Sequence, residues 1–241
     1  MNVPATQAEI AVRTLPAGRG VDWISEGFGL FKQDPGTWIG IMLVWLVISM
    51  ALGMVNAQIV STFLSPVFSA GLMLGCLSLS NNQGLRVGHL FDAFKGDRLG
   101  PLLLTSLIQI GLILLILVVT LCVVLVTMSG IWDGAHVNYD QINPLSLLLV
   151  LLVFLALILP LAMLAWFAPP LIVFRKLDAW PAMKLSLAGC LKNWIPFLLY
   201  GLVGLLVLLV AMIPLGLGLL VAFPVMAASV FTSYRDIYPE N

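Results

Sequence analysis

Residues 101–124 read PLLLTSLIQIGLILLILVVTLCVV, and no Asp, Glu, Lys, Arg or His interrupts them. As a helix rising 1.5 Å per residue this stretch is about 36 Å long. The hydrocarbon core of a bilayer is roughly 30 Å thick and takes about 20 apolar residues to cross. The run is therefore a membrane-spanning helix, and it sets the frame for the residues on either side. Of the 241 residues, 61% are hydrophobic and 9% are charged. A water-soluble domain carries about 45–50% apolar and roughly 25% charged residues, so lipid is the solvent for most of this chain.

Five further spans follow from the same reasoning, giving 37–55, 58–79, 101–124, 147–173, 195–213 and 215–232. The first two are joined by the polar turn Val55-Asn56-Ala57-Gln58, and the third and fourth by the polar loop Ser129 to Pro144. The last two are separated only by Ile213-Pro214-Leu215-Gly216. Trp194 to Phe231 would be about 57 Å long as one helix, too long for one crossing, so a hairpin is expected at the Pro/Gly cluster. Met1 to Gly20 holds Gln7, Glu9, Arg13 and Arg19 without an apolar run. Residues 1–20 read as a flexible tail rather than a signal peptide, and 21–241 as a single membrane domain.

The basic residues orient these spans. Arg13, Arg19 and Lys32 precede the first, and Arg86, Lys95 and Arg98 lie between the second and third. Arg175, Lys176, Lys184 and Lys192 lie between the fourth and fifth, and Arg235 follows the sixth. All eleven fall on one side of a six-span model, as the positive-inside rule demands, so both termini are expected in the cytoplasm. The expected location is the bacterial inner membrane.

Three segments before the odd-numbered spans resemble one another: Val21 to Lys32, Leu85 to Lys95 and Trp180 to Lys192. Each carries an apolar stripe at helical spacing and ends in an apolar residue followed by Lys. The stripe residues are Trp23, Ile24, Phe28 and Phe31, then Leu90, Phe91 and Phe94, then Trp180, Met183, Leu187 and Leu191. Such helices are expected to lie in the cytoplasmic headgroup plane with the stripe in lipid. The even-numbered spans also echo one another, with Phe close to Pro at Pro66–Phe68, Phe167–Pro170 and Phe223-Pro224. The expected fold is all-α and integral to the membrane: six transmembrane helices as three repeats of an interfacial amphipathic helix plus a helical hairpin.

Candidate helix kinks are Pro66, Pro169, Pro170 and Pro224, since a membrane proline frees the carbonyl four residues earlier. They would either line a shared cavity, with Phe68, Phe167 and Phe223 pointing into one lumen, or set packing curvature. Gly71 and Gly75 form a GxxxG pattern that brings helices close, within the chain or between copies. Gln109, one turn beyond Thr105 and Ser106, is expected to hydrogen-bond between helices, while Asn56 and Gln58 lie at the outer surface. No span contains an ionisable residue, which argues against a proton-coupled carrier.

Nothing in the chain forms a catalytic constellation. Glu26, Asp92, Asp97, Asp178 and Asp236 are spread along the cytoplasmic interface as solvated charges, and no nucleophile motif or phosphate loop occurs. His89 and His136 fall on opposite faces and so share no metal. Cys76, Cys122 and Cys190 read as small buried apolar residues. No catalytic, cofactor-binding or metal-ligating residue is assigned and no cofactor is expected. The loops are too small for a catalytic domain, so the protein is read as non-enzymatic. Zero net charge gives no sign of nucleic-acid binding. The expected partners are membrane lipids, with anionic headgroups at the basic cytoplasmic loops, a homo-oligomer or other membrane proteins.

The run from Arg13 to Gly20, then Trp23 to Gly27, Leu30-Phe31 and Pro35-Gly-Thr-Trp38 resembles the opening of an uncharacterised family of six-helix inner-membrane proteins from proteobacteria. Phe167-Ala-Pro-Pro-Leu-Ile172 is loosely similar to the membrane domain of glycerophosphodiester phosphodiesterases, whose catalytic barrel this chain lacks. Neither resemblance implies functional residues. The sequence thus leads to a membrane protein of lipid organisation or scaffolding, with transport of a neutral or lipidic solute through a channel or pocket as the alternative.

Overall fold

The structure is a computed structural model that describes residues 10–55, 57–127, 132–133, 136–137 and 143–239. Ten helices form among them: α1 (Arg19–Gln33), α2 (Pro35–Met54), α3 (Gln58–Ser80), α4 (His89–Lys95), α5 (Leu99–Thr127), α6 (Pro144–Trp166), α7 (Ala168–Arg175), α8 (Ala179–Lys192), α9 (Trp194–Met212) and α10 (Leu219–Ile237). The loop after α5 carries a two-residue antiparallel pair, β1 (Trp132–Asp133) with β2 (His136–Val137). Element lengths run short, long, long three times, with α7 continuing α6.

Local chemistry sets the boundaries. Asp34 stands before Pro35 and takes φ −152°, ψ 70°, outside the helical region, which ends α1. Its carboxylate then accepts from the Thr37 amide at 3.1 Å and caps α2, with Pro35 at the first turn. Asn143 caps α6 in the same way, accepting from the Leu145 amide at 2.9 Å. Between α9 and α10 the chain reverses at 213–218 through left-handed Leu215 and Gly216. The hairpin expected at the Pro/Gly cluster is there.

Among the described residues, five helical stretches are long and apolar enough to cross a membrane: Pro35–Met54, Ile59–Ser80, Leu99–Thr127, Pro144–Arg175 and Trp194–Met212. The sixth expected span, 215–232, corresponds to α10, which does not join these five. Its second half carries Thr232, Ser233, Tyr234, Arg235 and Asp236 and is largely buried, with Arg235 exposed and Asp236 half-buried. At the other extreme, α5 and α6 show Leu side chains outward along most of their length, with Leu161 the one buried residue of α6. Cys122 of α5 is exposed as well, unlike buried Cys76 and Cys190, because it sits on this outward face.

The core gathers around the short helices. α1 packs on α10, α4 on α3 and α8 on α6, so each short helix rests on the returning helix of the preceding unit and the last closes on the first. These contacts correct the expectation that the apolar stripes lie in lipid. Trp23, Ile24, Phe31, Leu90 and Met183 are buried within the protein; Phe91, Phe94 and Leu187 are half-buried; Phe28, Trp180 and Leu191 remain exposed. The cause is backbone proximity. Gly20 lies directly over the Pro196 carbonyl and the Tyr200 amide, and Gly27 over Val225 and Ser229. With no side chain at these positions, α1 seats on α9 and α10 and takes its stripe with it. Gly71 and Gly75 act likewise inside the chain, against His89 and Leu90 and against Leu85 and His89.

The expected flexible tail is also tied down from Ile10 onward. The Arg13 amide donates to the Ile237 carbonyl at 2.9 Å. Asn193, fully buried, accepts from the Leu15 amide and donates to the Arg13 carbonyl, both at 2.9 Å.

Close packing at Gly27 yields a direct test. A Cβ there would stand 2.7 Å from the Val225 carbonyl oxygen and 2.8 Å from the Ser229 amide nitrogen, both backbone atoms. Gly27→Leu is expected to cost about 1–3 kcal/mol by overpacking and to lower the melting temperature in detergent. Gly29→Ala, with open space around it, is expected to be neutral or to stabilise by ~0.5–1 kcal/mol.

Candidate functional site

Three features of the core are candidates for function. One is a cluster of charge at the α1–α10 contact. Arg19 donates through Nε to Asp236 Oδ2 at 2.6 Å and through Nη2 to Glu26 at 3.0 Å, with Asp22 at 3.3 Å from Nη1. Trp23 Nε1 donates to the same Asp236 oxygen at 2.9 Å. Glu26 and Asp236 are thus partners of one guanidinium, the first half exposed and the second mostly covered. No nucleophile joins them in the contacts described, so the cluster is a fastener between the first and last helices.

Another is the place where the proline-bearing helices meet. Pro66 and Pro224 lie inside α3 and α10, but Pro169 and Pro170 stand at the start of α7, after a break at Phe167. The break is held from outside. Ser186 of α8 accepts from the Phe167 amide at 2.9 Å and donates to the Met163 carbonyl at 2.6 Å, placing a hydroxyl in the helical ladder. Ser106 of α5 donates to the Phe63 carbonyl of α3 at 2.6 Å, next to Pro66. Gln109, the expected interhelical donor, is half-buried and makes no hydrogen bond among the described residues, so Ser106 takes that part. Asn56 and the Gln58 side chain lie outside the described residues.

The three phenylalanines do not converge on one lumen. Phe68 packs on Phe91 and Phe94 at 6.0 and 5.3 Å between ring centroids. Phe167 packs on Phe197, Tyr234 and Tyr238. Phe223 is half exposed over a shallow apolar cavity of 160 Å³ against α2 and α3. Phe174, Phe231, Tyr234 and Tyr238 fill the space between α7 and α10 with edge-on and tilted rings.

The remaining feature is a groove of about 740 Å³ between α1 and the α9–α10 hairpin, far larger than the 270 Å³ polar cup beside Arg235. Its walls are Val21, Ile24, Ser25 and Phe28 on α1, Val203 to Ala211 on α9, and Gly218 to Val225 on α10. None of the hydrocarbon walls offers an ionisable group. This groove was not read from the sequence. The signal was the split of α9 into a Val/Ala face at 203, 207, 210 and 211 and a Leu face at 198, 202, 205, 206 and 209.

No three His, Cys, Asp or Glu side chains come together as a metal requires, among the described residues. His89 is buried at the head of α4, where Nδ1 accepts from the Arg86 amide at 3.1 Å. Burial lowers its pKa below the ordinary 6.5; Asp92 opposes this and Arg86 adds to it. The His136 side chain lies outside the described ones.

A protein of Burkholderia thailandensis named "Probable inner membrane protein" is 24% identical to this chain over 200 residues, covering 77% of this chain and 72% of that protein. No protein-family model matches the chain, and no solved structure matches it. The likeness to the membrane domain of glycerophosphodiester phosphodiesterases therefore finds no support.

Two expectations follow from this geometry. Asp236→Ala removes the partner of Arg19 Nε and of Trp23 Nε1, leaving Arg19 its bonds to Glu26 and Asp22; at partial exposure the loss is expected to be about 1–2 kcal/mol, read as a lower melting temperature in detergent. Burial holds the folded pKa of His89 below its unfolded one. Its contribution is present above about pH 6.5 and is lost as pH falls towards the folded value. Melting at pH 8 and pH 5.5 is expected to show this loss, and His89→Gln to reduce it.

Proposed function

We propose that this is a bacterial inner-membrane protein of lipid organisation or scaffolding without enzymatic activity, in which a lipid-facing groove rather than a central pathway carries the function. The observation behind this reading is the contrast between the two regions. The meeting point of the proline-bearing helices is filled by aromatic rings and bridging hydroxyls, while the large apolar groove opens sideways between α1 and the α9–α10 hairpin. A carrier for a neutral or lipidic solute needs a polar or wide passage between the two membrane faces. A scaffold or lipid-holding protein is served by a solid centre and a lateral groove.

In the proposed arrangement α10 completes a sixth span, both termini are cytoplasmic, and the chain is three units of short helix plus hairpin. The eleven-to-none division of basic residues supports the orientation. The recurring contact of each short helix with the preceding returning helix, closed by α1 on α10, supports the repeat. The distant relative's name supports the inner membrane as the location.

Two measurements test the reading. Reporter fusions near Asp133 and after Gly216 are expected to read external, and those near Gly84, Lys176 and the C-terminus cytoplasmic; an external C-terminus overturns the six-span arrangement. Native mass spectrometry after gentle detergent extraction is expected to find anionic phospholipid enriched over the bulk membrane. Loss of lipid down to bulk composition, with only protein partners or a second copy retained, overturns the lipid half and leaves the scaffold.

A further inference from the structure

We propose that the polar cup beside Arg235 is a binding site for a phosphate group, held between the Arg235 guanidinium and the Asn81 side-chain amide. The site goes beyond the lipid-facing groove; only its place on the cytoplasmic side rests on the orientation above.

Three returning helices end around this hollow: α3 at Ser80, α7 at Arg175 and α10 at Ile237. Phe174, Phe231, Tyr234 and Tyr238 stand on its walls, packed ring against ring. Its volume of 270 Å³ falls just under the ~300 Å³ at which sites for drug-sized molecules begin. It suits a phosphate with a short attached group and not a whole lipid.

A helix C-terminus presents unpaired carbonyls and a partial negative charge. A hollow among such ends repels an anion unless those carbonyls are engaged, and at α3 and α10 they are. The Leu77 carbonyl accepts from the Asn81 backbone amide at 3.1 Å and from the Ser80 hydroxyl at 2.9 Å. Those of Ser78 and Leu79 accept from the Gln83 and Asn82 backbone amides. On α10 the Tyr234 carbonyl accepts from the Tyr238 amide, and that of Ile237 from the Arg13 amide. Arg175, in the last turn of α7, donates through Nη2 to the Tyr238 and Pro239 carbonyls at 2.9 and 2.6 Å. Its charge also offsets the dipole of its own helix.

With those acceptors engaged, the groups left open at the cup are donors. Arg235 is exposed and makes no ion pair or hydrogen bond among the described residues; its guanidinium carbon lies 5.7 Å from the centroid of the Phe231 ring. The Asn81 side chain is exposed as well and makes no hydrogen bond among them. No Asp or Glu of the described residues lines the cup. Asp236, next to Arg235 in the chain, is turned to Arg19 and Trp23. A guanidinium is a planar fork of N–H donors that matches phosphate. It comes from α10 and Asn81 from the end of α3, so the donors stand on different walls. The tetrahedrally spread oxygens of a phosphate reach both, whereas a carboxylate pairs with the guanidinium in one plane and leaves Asn81 idle. Such a phosphate arrives either on a lipid headgroup or on a soluble ester.

The test uses the full chain in maltoside micelles, which contain no phosphate, with radiolabelled inorganic phosphate as probe and equilibrium dialysis as readout. Saturable binding of one phosphate per chain is expected. Arg235→Gln is expected to weaken it about tenfold or more, as loss of a hydrogen bond to a charged group does, and Asn81→Ala about threefold. Lys184→Gln, which removes an exposed charge on α8 outside the cup, is expected to leave it unchanged. Displacement by phosphatidylglycerol doped into the micelle, but not by diacylglycerol, assigns the phosphate to a lipid headgroup; displacement by glycerol phosphate and not by phosphatidylglycerol assigns it to a soluble ester. Melting checks that each variant folds. Should Arg235→Gln not fold, phosphate is expected to protect Arg235 of the wild-type chain from phenylglyoxal, read by peptide mass spectrometry. No saturable binding, binding unmoved by Arg235→Gln, an equal loss in Lys184→Gln, or an unprotected Arg235 overturns the site. Acetate competing as well as phosphate overturns the choice of ligand. Micelles expose both sides of the protein, so a reversed orientation leaves these results as they are and is detected by the reporter fusions.

Discussion

Everything in this molecule depends on the seating of α1 against α10. In hydrocarbon, burying one more apolar side chain gains little, because lipid tails are as apolar as leucine. What remains are close backbone approach and polar bonds that lipid does not supply. The α1–α10 contact has both: Gly27 against the Val225 carbonyl, and Arg19 with Trp23 on Asp236. Thr232 adds a third link, its hydroxyl donating to the Trp23 carbonyl at 3.1 Å. The groove lies beside these contacts, where Val21, Ile24, Ser25 and Phe28 of α1 face the α9–α10 hairpin across open space.

The same device recurs with different parts. α4 reaches α3 over Gly71 and Gly75, and α8 reaches α6 through the Ser186 hydroxyl. Serines add polar contacts near the prolines. Ser106 bonds the Phe63 carbonyl close to Pro66, and Ser186 bonds the Phe167 amide and the Met163 carbonyl just before Pro169 and Pro170. Each serine sits far away in sequence from the backbone it bonds.

Much of this was legible from residues alone, and the reasons for the rest are physical. Long charge-free runs located α2, α3, α5, α6 and α9, and Pro214 with Gly216 marked the last hairpin. The stripes located α1, α4 and α8 but gave the wrong neighbour, since Trp23, Leu90 and Met183 look the same whether lipid or protein covers them. Gly20 and Gly27, seven residues apart on the flank of the α1 stripe, were the available clue. Asn193 and Ser186 went unnoticed because a lone polar residue in an apolar stretch does not name its partner. The groove was hidden for a related reason: Val and Leu are equally hydrophobic, and only sorting α9 by side-chain length reveals two faces.

The link between Arg19 and Asp236 joins residues 217 apart in the chain. A ribosome adding about 5–20 residues per second delivers the second roughly 10–40 s after the first. For that interval α1 is finished while the surface it was shaped for has not been made. Its glycines, its tryptophan and its arginine wait for a helix synthesised much later. Seating of α1 is therefore a late step in the making of this fold, and a nascent chain stalled before α10 leaves the first helix without its seat.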